Sequence, residues 1–383
     1  MVEPRPRTSC HHGRADSQCC PLLQCQVLMR SLLVDFFLLL LLSSAMHSAA
    51  PCKEGPARDT VSATVRMVAV GDINLGRTVG KYIIAGDTCF PFEKIDWIFG
   101  GVDIIFGNLE SPLSDQGGET QSPRNNLIFT GPSSGADALR MARFTLVSVA
   151  NNHALDYGTA AFHETLSNLR RAGVEFAGAA DSGNNAYLPA VVSRNGIRFA
   201  FFAVTDVRNS EGPAWREVAD ADTSLLFSAV RRVRDSVDFV ILSYHGGNEY
   251  RETPTRRSRE FLRAAVDAGV DVVLGHHPHV LQGIERYHRR IVSYSLGNFI
   301  FYQPQHKWTQ RSVALLLRFE KGPALRRVEL AGTIPVRAGY QPEAVDKESP
   351  EGREILLHLV KISGSKFPLP QLQPTYTEKQ VSP

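Results

Sequence analysis

The chain reads as an α/β protein, and two observations carry that reading. Short apolar runs alternate with amphipathic helical patterns from Arg66 onward, as expected where strands pair largely in parallel through crossover helices. Most of those runs also end in a residue type able to bind metal or do acid–base chemistry, which is where ligands sit in open α/β sheets.

The strand-like runs are "RMVAVG" (66–71), "VDIIFG" (102–107), "TLVSVA" (145–150), "IRFAFFAVT" (197–205), "VDFVILSY" (237–244) and "VDVVLG" (270–275). In "TAAFHETLSNLRRAG", Phe162, Leu166 and Leu169 share one helical face and Gly173 reads as the C-cap. In "TPTRRSREFLRAAVDAG", Pro254 suits a first helical turn, Leu262, Ala265 and Val266 form the buried stripe, and Gly269 ends it. "RIVSYSLGNFIF", "SVALLLRFE" and "LRRVELAGTIPVRAG" read as consecutive strands of a second sheet, and "REILLHLVKISG" as a single helix. No internal repeat is visible.

Residues 1–50 read as an N-terminal extension and secretory signal. Arg30, the apolar core from Phe36 to Leu42 and the small residues ending at Ala49 and Ala50 form its three parts. The core is short for a membrane span; cleavage and retention as an anchor are the two outcomes. The pattern places the true start at Met29 and the mature protein outside the cytoplasm, in the periplasm or at the cell surface. Residues 51–65 read as a linker, 66–340 as the main domain, and 341–383 as a C-terminal helix with a loose tail. Only Cys52 and Cys89 survive cleavage, and in an oxidising compartment they are candidates for a disulfide.

The 383 residues carry 42 basic and 39 acidic side chains, a net charge of +3. No global field points to nucleic acid, so a polyanion site has to be local. Arg256, Arg257, Arg259 and Arg263 crowd one helix. They read either as a groove for an acidic polymer or as the solvated face of an amphipathic helix, which is the default.

The polar strand ends are the strongest signal. "VAVGD" ends in Asp72, "IIFGNLE" in Asn108 and Glu110, "LVSVANNH" in Asn151, Asn152 and His153, "VILSYH" in His245, and "VVLGHHPH" in His276, His277 and His279. Each alone reads as a turn former, a cap or a structural histidine. Together they predict one cluster. Mixed nitrogen and oxygen donors without cysteine suit Mn²⁺, Fe or Zn²⁺, and the number of candidates suits two ions sharing a bridging group. A histidine left over from the ligand set can orient a ligand or act as acid or base.

The segments "VAVGDINLGR", "GNLESPLS", "ANNHALDYG", "SYHGGNEY", "GHHPHVLQG" and "YSLGNFIF", in this order, resemble the CapA family of capsule or poly-γ-glutamate biosynthesis proteins. That family has a calcineurin-like metallophosphatase fold. The resemblance covers roughly Met67 to Phe301 and extends to about Val336. It implies a four-layer sandwich, with two mixed sheets packed face to face and helices outside. It implies Asp72, Glu110, Asn152, His153, His245, His277 and His279 as metal-centre residues, and His276, Asn151 and Asn298 as catalytic or supporting groups. It also implies an anionic polymer, poly-γ-glutamate, and membrane polymer-synthesis components as partners. Two positions depart from the usual phosphoesterase pattern. Asp72 is followed by Ile73 and Asn74 where Asp-x-His is usual, and Gly107-Asn108 replaces Gly-Asp, with Glu110 beyond. Three function classes follow: an exported accessory of anionic polymer synthesis, an extracytoplasmic phosphoester or amide hydrolase, and a binding module with a degenerate site.

Overall fold

The computed structural model describes residues 61–115, 118–180 and 185–364. The signal segment, the 51–60 part of the linker, Cys52 and its pairing with Cys89, and the tail beyond 364 lie outside the described residues.

In chain order, β1 (Ala63–Ile73) is followed by α1 (Arg77–Ile84), β2 (Ile104–Leu109), α2 (Gly135–Met141), β3 (Leu146–Ser148), α3 (Gly158–Ala172) and β4 (Glu175–Ala177). Then come β5 (Ala190–Arg194), β6 (Ile197–Thr205), α4 (Thr223–Val233), β7 (Phe239–His245), α5 (Arg256–Asp267), β8 (Val272–His276), β9 (Leu281–Tyr287) and β10 (Arg290–Leu296). The last elements are β11 (Asn298–Ile300), β12 (Arg311–Lys321), β13 (Arg326–Arg337), β14 (Glu343–Ala344) and α6 (Pro350–Ser363).

An eight-stranded sheet has the order β14-β13-β12-β1-β2-β3-β4, with β11 also on β1. A six-stranded sheet has the order β5-β6-β7-β8-β10-β9. Both are mixed. β1, β2, β3 and β4 pair in parallel, whereas β12 runs antiparallel to β1. In the other sheet β6, β7, β8 and β10 are parallel, and β5 and β9 are antiparallel edges.

The two sheets pack face to face. Phe319 of β12 meets Phe199 of β6 and Phe239 of β7 edge-on or tilted, each at 5.0 Å between centroids. Phe106 of β2 stacks on Phe201 at 6.1 Å. The far face of the six-stranded sheet forms a separate core, in which Phe202, Leu242 and Val273 lie under Leu226 of α4 and Leu262 and Val266 of α5. α1, α2 and α3 bury Val79, Ile83, Leu139, Leu166 and Leu169 in the main core, and α6 packs on β9, β12 and β13. This is the α/β sandwich of two mixed sheets with helices outside that the family resemblance implies.

Two readings need correction. The strands after Arg290 do not form a sheet of their own. β10 joins the six-stranded sheet, while β11, β12 and β13 complete the eight-stranded sheet beside β1. Gly297, with φ of +70°, makes the change of sheet between β10 and β11, a backbone angle glycine takes without penalty. Pro254 lies ahead of helix α5 rather than in its first turn, because Thr255 is the N-cap and accepts from the Ser258 N–H at 3.0 Å. Gly269 ends α5 as expected: it follows the C-cap Ala268 with φ of +120°, and its N–H donates to the Val266 carbonyl at 3.0 Å. The α3 C-cap is as expected, with Gly173 left-handed at φ of +72°. Among the described residues no helix is long and apolar enough to cross a membrane.

Candidate metal centre

The strand ends meet where the two sheets face each other. β1 ends on Asp72, β2 leads to Glu110, and the turn after β3 carries Asn151, Asn152 and His153; these come from the eight-stranded sheet. β7 ends on His245 and β8 on His276, with His277 and His279 in the turn beyond, all from the six-stranded sheet. Glycines before these residues permit the approach. A Cβ on Gly71 would sit 1.9 Å from the Gly297 carbonyl oxygen, and one on Gly275 would sit 2.0 Å from that of Tyr294. His277 and His279 both have positive φ, +94° and +58°, a strained backbone that persists only where the surroundings impose it. One such restraint is the His277 N–H, which donates to Asp72 Oδ2 at 3.3 Å.

Glu110 lies at the middle. Its Oε1 is 3.8 Å from His245 Nε2, 3.8 Å from His279 Nε2 and 3.9 Å from His153 Nε2. Those separations are too long for hydrogen bonds, and neither carboxylate oxygen has a partner. His277 Nδ1 and His276 Nε2 are likewise buried without hydrogen-bond partners. A buried carboxylate ringed by imidazole nitrogens and bonded to none of them fits a cation, since two ligand bonds of about 2.0–2.2 Å can bridge such gaps. Among the described residues, two ligand groups have donor atoms within 4.8 Å of one another: Glu110, His245 and His277, and Asp72, Glu110 and His279. Glu110 belongs to both.

The remaining predicted residues hold these donors in place. Asn298 Oδ1 pairs with His279 Nδ1 at 2.9 Å, leaving Nε2 to face Glu110. Asp156 Oδ2 pairs with His153 Nδ1 at 2.7 Å, with the same effect. Asn152 Oδ1 is 2.7 Å from His245 Nε2. Asn151 is engaged by the chain itself, donating to the Leu109 carbonyl at 2.8 Å and accepting from the His153 N–H at 3.1 Å. His276 sits fully buried with Nδ1 3.2 Å from Asp72 Oδ1.

Electrostatics follow from burial. Glu110 is pushed well above the usual carboxylate range by burial and then by the charge of Asp72. Burial alone would raise Asp72 too, but His276 and His279 beside it hold it well below the usual range. His245 is driven well below the ordinary histidine value by burial and by His277, and burial and His279 push His277 down to about 3. Neutral imidazoles with free lone pairs are the form a metal takes.

Sequence reading gave Asn108 no specific role in the site and left Asp156 and Asn209 out of it. Asn108 replaces the usual aspartate, and its Nδ2 donates to Asp72 Oδ1 at 2.9 Å and lies 3.2 Å from His245 Nδ1. Asp156 was legible in "NNHALD", three residues after His153 as a helix-like turn requires. Asn209, 2.9 Å from Asn152 through Oδ1, comes from a loop with no local signal. The arginines of α5 are mostly neutralised: Arg256 pairs with Glu260, Arg257 with Asp206 and Arg263 with Glu285.

Comparison with known proteins agrees with the motifs. Residues 66–303 match the family described as "Bacterial capsule synthesis protein PGA_cap". The "PGA biosynthesis protein CapA" of Bacillus subtilis (strain 168) is 32% identical over 299 residues, covering 77% of this chain and 77% of that protein. The "Capsule biosynthesis protein CapA" of Bacillus anthracis is 29% identical over 272 residues, covering 69% of this chain and 66% of that protein. Among solved structures, a putative 5'-nucleotidase from Staphylococcus aureus superposes with a TM-score of 0.44 at 12% identity, covering 78% of this chain and 58% of that one. With a family match over most of the folded region and a relative above 30% identity, the chain belongs to the bacterial capsule synthesis protein family.

Proposed function

We propose that this protein serves, outside the cytoplasm, the synthesis or export of an anionic polymer of the capsule or poly-γ-glutamate kind, through a metal-dependent, hydrolase-like centre. The observation that carries the reading is Glu110: a buried carboxylate with both oxygens unpartnered, common to two separate ligand groups. Asp72 and His279 would hold one ion, His245 and His277 a second, with Glu110 bridging. Nitrogen and oxygen donors without cysteine suit Mn²⁺, Fe or Zn²⁺. Bound ions of this kind supply a water activated at neutral pH and stabilise charge on a reacting oxygen.

The chain's own groups account for the rest. Asp156 fixes the ring of His153 so that Nε2 faces the centre, the arrangement of a positioned acid or base. Asn298 does the same for His279, and Asn152 lends an oxygen beside His245. Family membership supports the polymer role, and the Arg30-to-Ala50 pattern supports export.

The test is metal analysis of purified protein, followed by turnover of a small phosphodiester and of a γ-glutamyl amide with Mn²⁺, Zn²⁺ or chelator. We expect bound metal and metal-dependent cleavage of one of the two. His245→Ala and His277→Ala are each expected to lower metal content while the fold survives, because the strands beneath carry the core. Protein that holds no metal and gains no thermal stability from either ion sinks the reading. N-terminal sequencing from the extracytoplasmic fraction, expected to begin near Pro51, tests export.

A further inference from the structure

Asn74 occupies the position where a second imidazole is usual after Asp-x. Its Oδ1 is taken by the turn, accepting from the Gly76 N–H at 2.8 Å. That bond assigns the amide, and it leaves Nδ2 as a buried donor with no partner. Asn74 is 5% exposed. An amide N–H₂ cannot ligate a cation, so Asn74 does not stand in for the missing histidine.

Three residues on, Arg77 carries a second unpartnered N–H. Its Nη2 donates to the Asn126 carbonyl, but Nε is buried without an acceptor. Among the described residues Arg77 pairs with no carboxylate, unlike Arg143, Arg171, Arg257 and Arg263. Its guanidinium lies 4.5 Å from the Phe129 ring centre and 5.9 Å from that of Phe301. Those rings in turn touch the metal centre, Phe129 stacking on His153 at 3.8 Å and Phe301 lying 4.9 Å from His279.

Asn74 and Arg77 line one small cavity of ≈ 40 Å³ that is otherwise walled by apolar, glycine and aromatic residues, Phe301 included. No acidic residue is among them. A cavity of that size admits one small polar group, not a length of polymer. A buried N–H without an acceptor is unfavourable and calls for an explanation. Two of them on residues that line one cavity, one on a cation with no carboxylate at ion-pair distance among the described residues, are explained together by an anion.

We propose that Asn74 and Arg77 form an oxyanion-binding subsite beside the metal centre, which takes a carboxylate or phosphate oxygen of the substrate. Arginine offers the planar fork that matches either anion. Calling that anion the substrate's rests on the proposed function; the donors and the cavity do not.

The experiment is calorimetric titration with inorganic phosphate and with glutarate, each on chelator-treated and on Mn²⁺-loaded protein, with metal content measured in parallel. Wild type is expected to bind at least one of the two, and the preferred one reports whether phosphate or carboxylate is the natural group. Arg77→Met keeps the stem over Phe129 but removes the fork. Asn74→Asp keeps the acceptor for Gly76 but replaces the donor with an oxygen. Each is expected to weaken the anion about tenfold or more, with metal content retained. Arg77→Lys keeps charge and stem without Nε, and carries the test should Arg77→Met not fold. Wild-type protein that binds neither anion in either state overturns the proposal, as do variants that bind like wild type. Should wild type hold no metal while the variants still lose the anion in chelator, the proposed function fails and the subsite stands.

Discussion

In a chain without an ion, Glu110 keeps two carboxylate oxygens buried and unbonded. Leaving such a group unsatisfied costs about 1–3 kcal/mol, and more when it is charged. Glu110→Gln therefore has opposite effects in the two states. Metal content should fall, because the carboxylate common to both ligand groups is gone. Thermal stability in chelator should be equal to or above that of wild type, since a neutral amide is less costly to bury there. Metal analysis with paired melting curves checks both halves. Asn298 acts at one remove, through the 2.9 Å bond that orients the His279 ring. Asn298→Ala should leave the fold intact and weaken metal binding roughly 10–100-fold, as loss of a ligand's orienting partner typically does. Competition against a chelating dye measures it.

Among the elements, β7 is fixed at both ends by polar chemistry of different kinds. His245 at its C-terminal end lies in the candidate metal centre, and Asp238 just before its start ties the sheets together. Asp238 Oδ2 accepts from the Arg198 N–H at the head of β6 and from Lys321 Nζ at the end of β12, each at 2.9 Å. Burial alone would raise the Asp238 carboxyl, but the Arg198 N–H and then Lys321 and Arg326 hold it below its ordinary 3.8. A depressed carboxyl stabilises the folded state above its unfolded value, and that stabilisation is lost as pH falls through the folded one. Asp238→Asn should thus destabilise the protein by about 2 kcal/mol at neutral pH. The gap to wild type should hold steady down to the ordinary 3.8 and close only below it. Denaturant unfolding across that range reads it. A gap that closes between neutral pH and mildly acid pH would assign the effect to some other group.

For the whole molecule, the centre joins two sheets that share a core but no strand. Asp72 and Glu110 come from one sheet, His245 and His277 from the other. An ion held between them stabilises the native state by mass action, about 2.7 kcal/mol when free metal is a hundredfold above its dissociation constant. Chelation should lower the melting temperature of the entire cooperative unit, and Mn²⁺ or Zn²⁺ should restore it. His163→Ala is the control. His163 lies on α3, more than half exposed and paired with Glu217 at 2.5 Å, so its loss should leave metal content and the chelator effect unchanged.

The sequence alone determined the alternation of strands and helices, the buried stripes of α3 and α5, and the polar residues at most strand ends. These are local properties: periodicity and the chemistry of a residue just past an apolar run. "IRFAFFAVT" runs from Ile197 to Thr205, as β6 does. Which strands share a sheet was not local. β10 and β11 are separated only by Gly297, yet they belong to different sheets, because one left-handed residue redirects the chain without any change in hydrophobic pattern. The metal-capable residues were legible for the same reason that the strands were. The groups that position them were legible only when close in sequence. Asp156 sits three residues from His153, whereas Asn209 reaches Asn152 from a loop 57 positions away. Tertiary structure likewise decided that Asn108 bonds Asp72 and His245 rather than standing as a bare substitute for aspartate. It decided too that Glu110 alone is common to both ligand groups. Each of these depends on distances between residues far apart in the chain, and such distances exist only once the two sheets have packed.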